Sequence, residues 1–470
     1  MSARITRVAG PLDAEITIPV VVIGGGACGL VAALAAADAG QSVLVLERDA
    51  SPAGSTAMSS GFIPAAGTRW QRAAGVHDNP QRMQQDIETK NHYESDSDVV
   101  AAICRSSAAT LEWLADRHGL PFELVEGFLY PGHTALRMHC TPKRSGEELM
   151  ACLLQACSRA GIDILSNARV DSLMIDHADR VRGVQFVRPD GSTEQIGCEA
   201  LILACSGFAG NPELVARYLP YMSQAVFYGH PGNRGDALAW GQALGAACAD
   251  LGACQGHGSL AWPHQTLISW ALMMQGGVQV NRLGQRFSNE HLGYSEQARR
   301  VLEQPDHRAW NLYDDRIHAY ALSMADYRDA NAAGAIVSAD SPRTLAERLG
   351  LPADAVEQTL REVDGLCERR ECCRWGRQFT PEQRLSGPWY AVQVTGALFH
   401  SQGGLVVDTQ ARVLRPDGTA LPNLLAGGGA ARGLSGSNDT GYLSGNGLLS
   451  AVMLGAIAGR SAAALADSTA

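Results

Sequence analysis

The sequence predicts an α/β fold interrupted by a second, inserted domain, on three observations. A strand–glycine–helix–strand run occupies Pro19–Leu46. That βαβ pattern is lost from about Leu251 to Tyr390, where polar loops, short helices and tryptophans dominate. It returns near the C-terminus, where the glycine-rich tract Gly427–Gly447 meets an apolar helix. At 470 residues the chain is long enough for two cores. The expected boundaries are 1–252 and 393–470 for a domain built from both ends, and 253–392 for an inserted α+β domain.

The elements follow in order. Pro19–Ile23 is a short β-branched run that Gly24 ends, Leu30–Ala39 is an alanine-rich helix stopped by Gly40, and Ser42–Leu46 is a second strand. Asp98–Gly119 and Gly146–Ala160 carry their large apolar residues at helical spacing. Ile162 to Ala204 reads as consecutive strands, with Asp190-Gly191 supplying hairpin turn chemistry. The last of them runs into Cys205-Ser206-Gly207. Gly404–Val407 and Ala411–Leu414 predict a second hairpin, Asp417-Gly418 a further turn, and Gly447–Ser461 a C-terminal helix.

Composition excludes several function classes. A net charge of −10 disfavours nucleic acid and anionic membrane as general partners. The 12 cysteines are scattered, with no C-x-x-C or C-x-x-C-H run, so no metal, iron–sulfur or attached-haem site is expected. Unpaired thiols in a reducing compartment are the expectation. Met1–Pro19 carries Arg4, Arg7, Asp13 and Glu15 and no secretory apolar run. No stretch reaches the ~20 uninterrupted apolar residues of a membrane span. A cytoplasmic protein without membrane insertion is expected; the oligomeric state is not legible.

Gly24-Gly25-Gly26-Ala27-Cys28-Gly29 forms G-x-G-x-x-G between strand and helix. In that context Gly24 permits the turn, Gly26 lets a pyrophosphate approach the helix N-terminus, and Gly29 lets helix and strand pack. Glu47 ends the next strand, 23 positions after Gly24, where a carboxylate can accept from ribose hydroxyls. One dinucleotide is therefore expected. With a single fingerprint, Gly427–Gly429 reads as a second wall for a long cofactor such as FAD.

With these segments in view, the chain resembles the flavoprotein superfamily of fumarate reductases, succinate dehydrogenase flavoprotein subunits and 3-ketosteroid Δ1-dehydrogenases. The marks are VVVIGGGACGLVAALAAADAG, LVLERD, AGSTAMSSGF, LILACSGFAGN, VNRLGQRFSNE, LFHSQGGLVVD and GGGAARGLSG with GYLSGNGLLSA. The resemblance implies a Rossmann-like FAD domain of the glutathione-reductase type with an inserted capping domain. It implies FAD contacts from Gly24, Gly26, Ala27, Gly29, Glu47, Arg48, Ser55, Thr56, Gly61, Val170, Ser206, Gly207, Gly428, Ser444, Asn446, Leu448 and Leu449. Gly54–Gly61 has no histidine for flavin attachment, so FAD is expected to be non-covalent. Gly428-Gly429 stands where the family carries the acid of A-G-E, which removes one family contact to the cofactor.

The resemblance also assigns a reacting site. His257 and His400 match the two substrate histidines of the fumarate reductases. Their proton-delivering arginine is Tyr294 here, and their last carboxylate-binding arginine has no counterpart in Ser437–Tyr442. A dicarboxylate needs cationic clamps, so fumarate is disfavoured. Tyr294 and Tyr442 instead match the proton-transfer and ketone-polarising tyrosines of the ketosteroid enzymes. The expected reaction is desaturation of a C–C bond beside a carbonyl, or its reverse, in a small cyclic ketone or keto acid. The expected partners are that small molecule and an external electron acceptor or donor. Two alternatives stand beside it: a fumarate reductase-like ene-reductase of an unsaturated carboxylic acid, and a flavoprotein electron-transfer subunit. Tyr130 is a further pocket candidate, whereas Trp262, Trp270 and Trp310 read as core of the inserted domain.

Overall fold

In the computed structural model, which describes residues 4–468 except Pro11, Asp13, Glu15 and Phe128, the chain divides into two units. Asp13 and Glu15, read above in the N-terminal stretch, thus lie outside the described residues. The first unit comprises Met1–Leu219, Gly229–Cys254 and His400–Ala470; the second comprises Pro220–Tyr228 and Gln255–Phe399. These differ from the expected boundaries. The second unit takes in Pro220–Tyr228 because Val226–Phe227 pairs with Ala397 and Leu398 of the strand Trp389–Ser401, a long-range ladder that no local pattern announces.

The first unit is organised by a nine-stranded sheet. Thr17–Ile23 lies between Val43–Leu46 and Thr193–Leu203, parallel to both, and Asp163–Leu165 extends the parallel set. Val20, Val21 and Val22 are fully buried, as strands covered on both faces require. Thr193–Leu203 is long enough for two partners on its other side. Its first half pairs antiparallel with Val181–Val187 and its last residues pair parallel with Ala420–Ala426. The strand ends of this parallel set converge on the glycine loop and on Cys205-Ser206-Gly207, the edge where such sheets bind ligands.

Helix Ala27–Asp38 packs on the C-terminal helix Asn446–Asp467 through small residues. A Cβ on Gly455 would lie 2.5 Å from Cys28 O, and one on Gly459 would lie 2.2 Å from Ala32 O. Asn446–Asp467 is long and apolar enough to cross a membrane by length and composition, which the sequence reading did not find, but most of it is buried inside this unit. The expected hairpin of Gly404–Val407 with Ala411–Leu414 forms around a Val407–Val413 bridge, with Asp408 N on Arg412 O at 3.1 Å and Leu414 N on Val406 O at 2.9 Å. Gly404–Leu405 pairs with Cys248–Ala249, and Arg412–Leu414 pairs with Ala420–Ala426 across the Asp417-Gly418 turn. No disulfide joins any of the 12 cysteines, all of which lie among the described residues.

The second unit holds a six-stranded sheet built around Trp389–Ser401, so the apparent run of loops hides regular structure. Ala309–Asp314 and Ile336–Ala339 flank it antiparallel. Its core includes Trp270, Trp310, Tyr313 and Phe379.

Candidate active site

In the first unit, four glycine positions are dictated by space. A Cβ on Gly24 would sit 2.5 Å from Ala204 O, on Gly29 1.9 Å from Gly24 O, and on Gly207 2.1 Å from Ser401 Oγ. Gly428 has φ 55, a backbone region that favours glycine, and a Cβ there would stand 3.2 Å from Cys28 Cβ. Helix Ala27–Asp38 starts at Gly26 with no side-chain cap on its own N-cap residue; the Ala27 N–H donates to Thr56 Oγ1 at 3.1 Å. Buried Glu47 accepts from Gly25 N at 2.8 Å and Asp49 N at 2.9 Å. It therefore braces the loop, and its carboxylate keeps lone pairs for a ribose.

The other expected cofactor residues distribute around this edge. Arg48 donates to Gly232 O, Ser55 Oγ accepts from Asn233 Nδ2, and Gly61 turns with φ 70 against Ser145 O. Val170 is buried in the strand Arg169–Ile175, and Ser206 sits at φ 66 where the strand Thr193–Leu203 has ended. Ser444 O accepts from His133 Nε2 at 3.0 Å. Asn446 opens the C-terminal helix, Leu448 is part-buried and Leu449 buried. The helix N-cap, Gly445, has no side chain to cap it, and the buried Asn446 Oδ1 lacks a hydrogen-bond partner. A buried acceptor at an uncapped helix N-terminus awaits a donor and an electron-rich group. The residues present fit a bound dinucleotide.

His400 and Tyr442 come together in this unit, with ring centroids 6.1 Å apart at 77°. They border one spot. A methyl on Gly447 would lie 2.8 Å from His400 Nε2 and 3.7 Å from Tyr442 Oη. Loss of hydration holds the His400 pKa down to about 4, so its ring is neutral near pH 7. The turn carrying Tyr442 is braced from below. Arg137, fully buried, pairs with Asp78 at 3.0 Å and Asp86 at 2.5 Å, and a Cβ on Gly132 would lie 2.7 Å from Leu443 Cδ1. None of Arg137, Asp78 and Asp86 was singled out from the sequence; only their burial marks them.

The second unit brings His257 and Tyr294 together. Helix Tyr294–Leu302 lies directly on strand Cys254–Ala261, because a Cβ on Gly256 would meet Ala298 Cβ at 2.6 Å and one on Gly258 would meet Gln297 C at 2.7 Å. Ser295 Oγ accepts from Gly256 N at 2.9 Å, and Gln297 Nε2 donates to Gln279 Oε1 at 2.7 Å. His257, between the two glycines, stacks on Tyr294 at 5.1 Å and on Phe399 at 5.6 Å, with Trp270 edge-on at 5.9 Å. Burial in this aromatic box pushes its pKa down to about 3. Ser259 N donates to His257 Nδ1 at 3.2 Å, which leaves the proton of the neutral ring on Nε2. Trp270 therefore belongs both to the core and to the histidine's surroundings, more than the sequence reading gave it.

The Asn289-Glu290 pair owes its place to two arginines the sequence reading missed. Glu290 accepts from Arg286 Nη2 at 2.6 Å and Arg377 Nη1 at 3.0 Å. Burial pushes the Glu290 carboxyl up, but the charges of Arg377 and Arg286 win and hold its pKa at about 2. This triad anchors the segment that leads into Tyr294. Tyr130 packs with Phe62 near Met138.

The chain is 29% identical over 448 residues to an NADH:fumarate oxidoreductase of Klebsiella pneumoniae (strain 342), covering 94% of this chain but only 47% of that protein. It is 25% identical over 577 aligned residues to a 4-oxocyclohex-2-ene-1-carboxylate 5-dehydrogenase of Sinomonas cyclohexanicum, covering 96% of this chain and 95% of that one. Its fold matches the open conformation of a flavocytochrome c3 fumarate reductase with a TM-score of 0.82 and 27% identity, over 97% of this chain and 79% of that one. The FAD binding domain family model matches residues 19–448, most of the chain. Sequence fingerprint, cradle and family match agree: the chain belongs to the FAD binding domain family, and FAD is its cofactor.

Proposed function

We propose that the chain is an FAD-dependent oxidoreductase that desaturates, or in reverse saturates, the C–C bond beside the carbonyl of a small cyclic ketone or keto acid. The observation that carries this reading is the pairing of each candidate phenol with a neutral histidine, Tyr294 with His257 and Tyr442 with His400. Neutral donors suit a carbonyl oxygen, whereas a dicarboxylate needs cations. Arg432, the arginine nearest Tyr442 in sequence, is tied to Asp250 at 2.6 Å and to Glu94 O at 2.7 Å. The relative that acts on a 4-oxocyclohexene carboxylate supports a cyclic keto substrate.

FAD, when bound, supplies the hydride acceptor or donor. Gly24–Gly29 and the N-terminus of Ala27–Asp38 would hold its pyrophosphate and Glu47 its ribose, and Asn446 would offer it a further contact. Gly54–Gly61 offers no histidine, so attachment is non-covalent. In desaturation a hydride leaves the β-carbon, a proton leaves the α-carbon, and the α C–H electron pair becomes the new π bond. Tyr294 takes that proton, directly or through a relay. Tyr442 donates to the carbonyl oxygen as negative charge gathers there. In the saturating direction Tyr294 returns the proton. An external protein or small molecule exchanges electrons with the cofactor.

A second reading, reduction of an unsaturated carboxylic acid, draws on the names of the fumarate reductases among the relatives. An anaerobic screen separates the two. Saturated cyclic ketones and keto acids should bleach the oxidised flavin, and cyclic enones should reoxidise the photoreduced flavin. Reoxidation by fumarate faster than by every cyclic enone would sink the ketone reading.

A further inference from the structure

We propose that Gln402 is a positioning residue that locks His400 as a neutral Nε2–H donor, so that His400 and Tyr442 together hold one substrate oxygen over Gly447. The inference rests on the ketone reading above and names the groups that receive the carbonyl.

The lock is a chain of buried side chains. Ser435 Oγ donates to Gln402 Oε1 at 2.8 Å, and Asn446 Nδ2 approaches Ser435 Oγ at 3.5 Å. With its oxygen so engaged, the Gln402 amide turns its Nε2 to His400 Nδ1 at 2.7 Å. Gln402, Ser435 and Asn446 are 5%, 1% and 1% exposed, so water does not compete for these bonds. The Gln402 backbone is itself pinned, its N–H on Ala253 O at 2.8 Å and its carbonyl on Gly433 N at 2.8 Å.

An imidazole nitrogen that accepts cannot also carry the proton. The competing contact of His400 Nδ1, with Ser401 O, is longer at 3.3 Å. The proton therefore resides on Nε2, the nitrogen that faces the space over Gly447, which Tyr442 Oη also borders. Two donors from two side chains then meet one oxygen, the arrangement that stabilises charge developing on a carbonyl.

The test uses the FAD-loaded protein with histidines labelled in ¹⁵N, the His400 signals being assigned by their loss in His400→Gln. Long-range ¹⁵N–¹H correlation should show the Nε2–H tautomer from pH 6 to 8. In Gln402→Met the donor is gone, Ser401 O can take the proton from Nδ1, and the signals should move to the Nδ1–H pattern. Flavin bleaching by the best ketone should slow by roughly 10²-fold in that variant, as for loss of one oxyanion donor. A native Nδ1–H tautomer, or an unchanged tautomer in Gln402→Met, overturns the lock whatever the substrate. An Nε2–H tautomer that flips on substitution supports the lock, and if no ketone then bleaches any variant it is the ketone reading that falls.

Discussion

Gly447→Ala isolates the proposed oxygen site from the fold that carries it. Gly447 is the second residue of helix Asn446–Asp467, and its φ is not in the left-handed region. Backbone conformation therefore favours alanine, by up to about 1 kcal/mol. Against this, the new methyl lies 2.8 Å from His400 Nε2 and 2.9 Å from Cε1, so the ring must give way. Overpacking of that kind costs about 1–3 kcal/mol. The balance is a loss of stability of roughly 0–3 kcal/mol, with the cofactor retained. Activity should respond far more. The methyl pushes against His400 Nε2 and narrows the approach beside Tyr442 Oη, so an oxygen can no longer meet both donors, each typically worth ~10²–10³ in rate. Thermal melting and bound FAD should stay near native, while stopped-flow flavin reduction slows by at least ~10²-fold and a phenol that mimics the enolate binds more weakly. Native rates and native phenol affinity in Gly447→Ala would show that no substrate atom rests there.

Three further outcomes are expected. Tyr294→Phe should keep fold and FAD content and slow flavin reduction by ~10²–10⁴; a native rate would move proton transfer to another group, His257 first. Acid precipitation should release all yellow colour to the supernatant, and flavin held on the denatured protein would refute non-covalent attachment. His133 and His139 are buried with pKa values pushed down to about 4 by desolvation, so they resist protonation only while folded. Above about pH 6.5 neither state binds the proton and they contribute nothing; as pH falls from there toward 4 the unfolded chain alone takes it up. Each should then cost about 2 kcal/mol of stability at pH 5, and urea melts of His139→Gln should show a shallower loss over that range. An unchanged slope would refute this assignment.

The local βαβ signal was legible because it is written in contiguous residues. Gly24, Gly29 and Glu47 each do in three dimensions what their spacing announces: a close approach, a packing contact and an acceptor beside the loop. Pairs such as Tyr294 with His257 could be named only through family resemblance, since 37 positions separate them and their stacking depends on Gly256 and Gly258 admitting a helix. Supporting groups escaped altogether. Arg286 and Arg377 look like surface charges in a sequence and become internal where Glu290 pairs with both and the carbonyls of Gly277 and Met273 take further Arg377 N–H groups. Gln402 reads as an ordinary polar residue in a loop; its bond to His400 depends on Ser435, supplied from 33 positions later. The hairpin joining Val407 to Val413 was legible because its turn and both arms are contiguous, whereas the pairing of Gly404–Leu405 with Cys248–Ala249, distant in sequence, was not.

The packing of helix Ala27–Asp38 against helix Asn446–Asp467 has a consequence in time. The glycine loop leaves the ribosome long before its companion helix does. Gly455 and Gly459 press on Cys28 O and Ala32 O, and Ala420–Ala426 completes the sheet beside Thr193–Leu203. Contacts of such separation are slow to form, and these cannot form at all until Asn446–Asp467 has emerged. The nascent chain must therefore carry an open sheet edge and an uncovered apolar helix while the intervening residues are made. Cofactor capture becomes a late event of folding, a signal that both halves of the cradle have been synthesised.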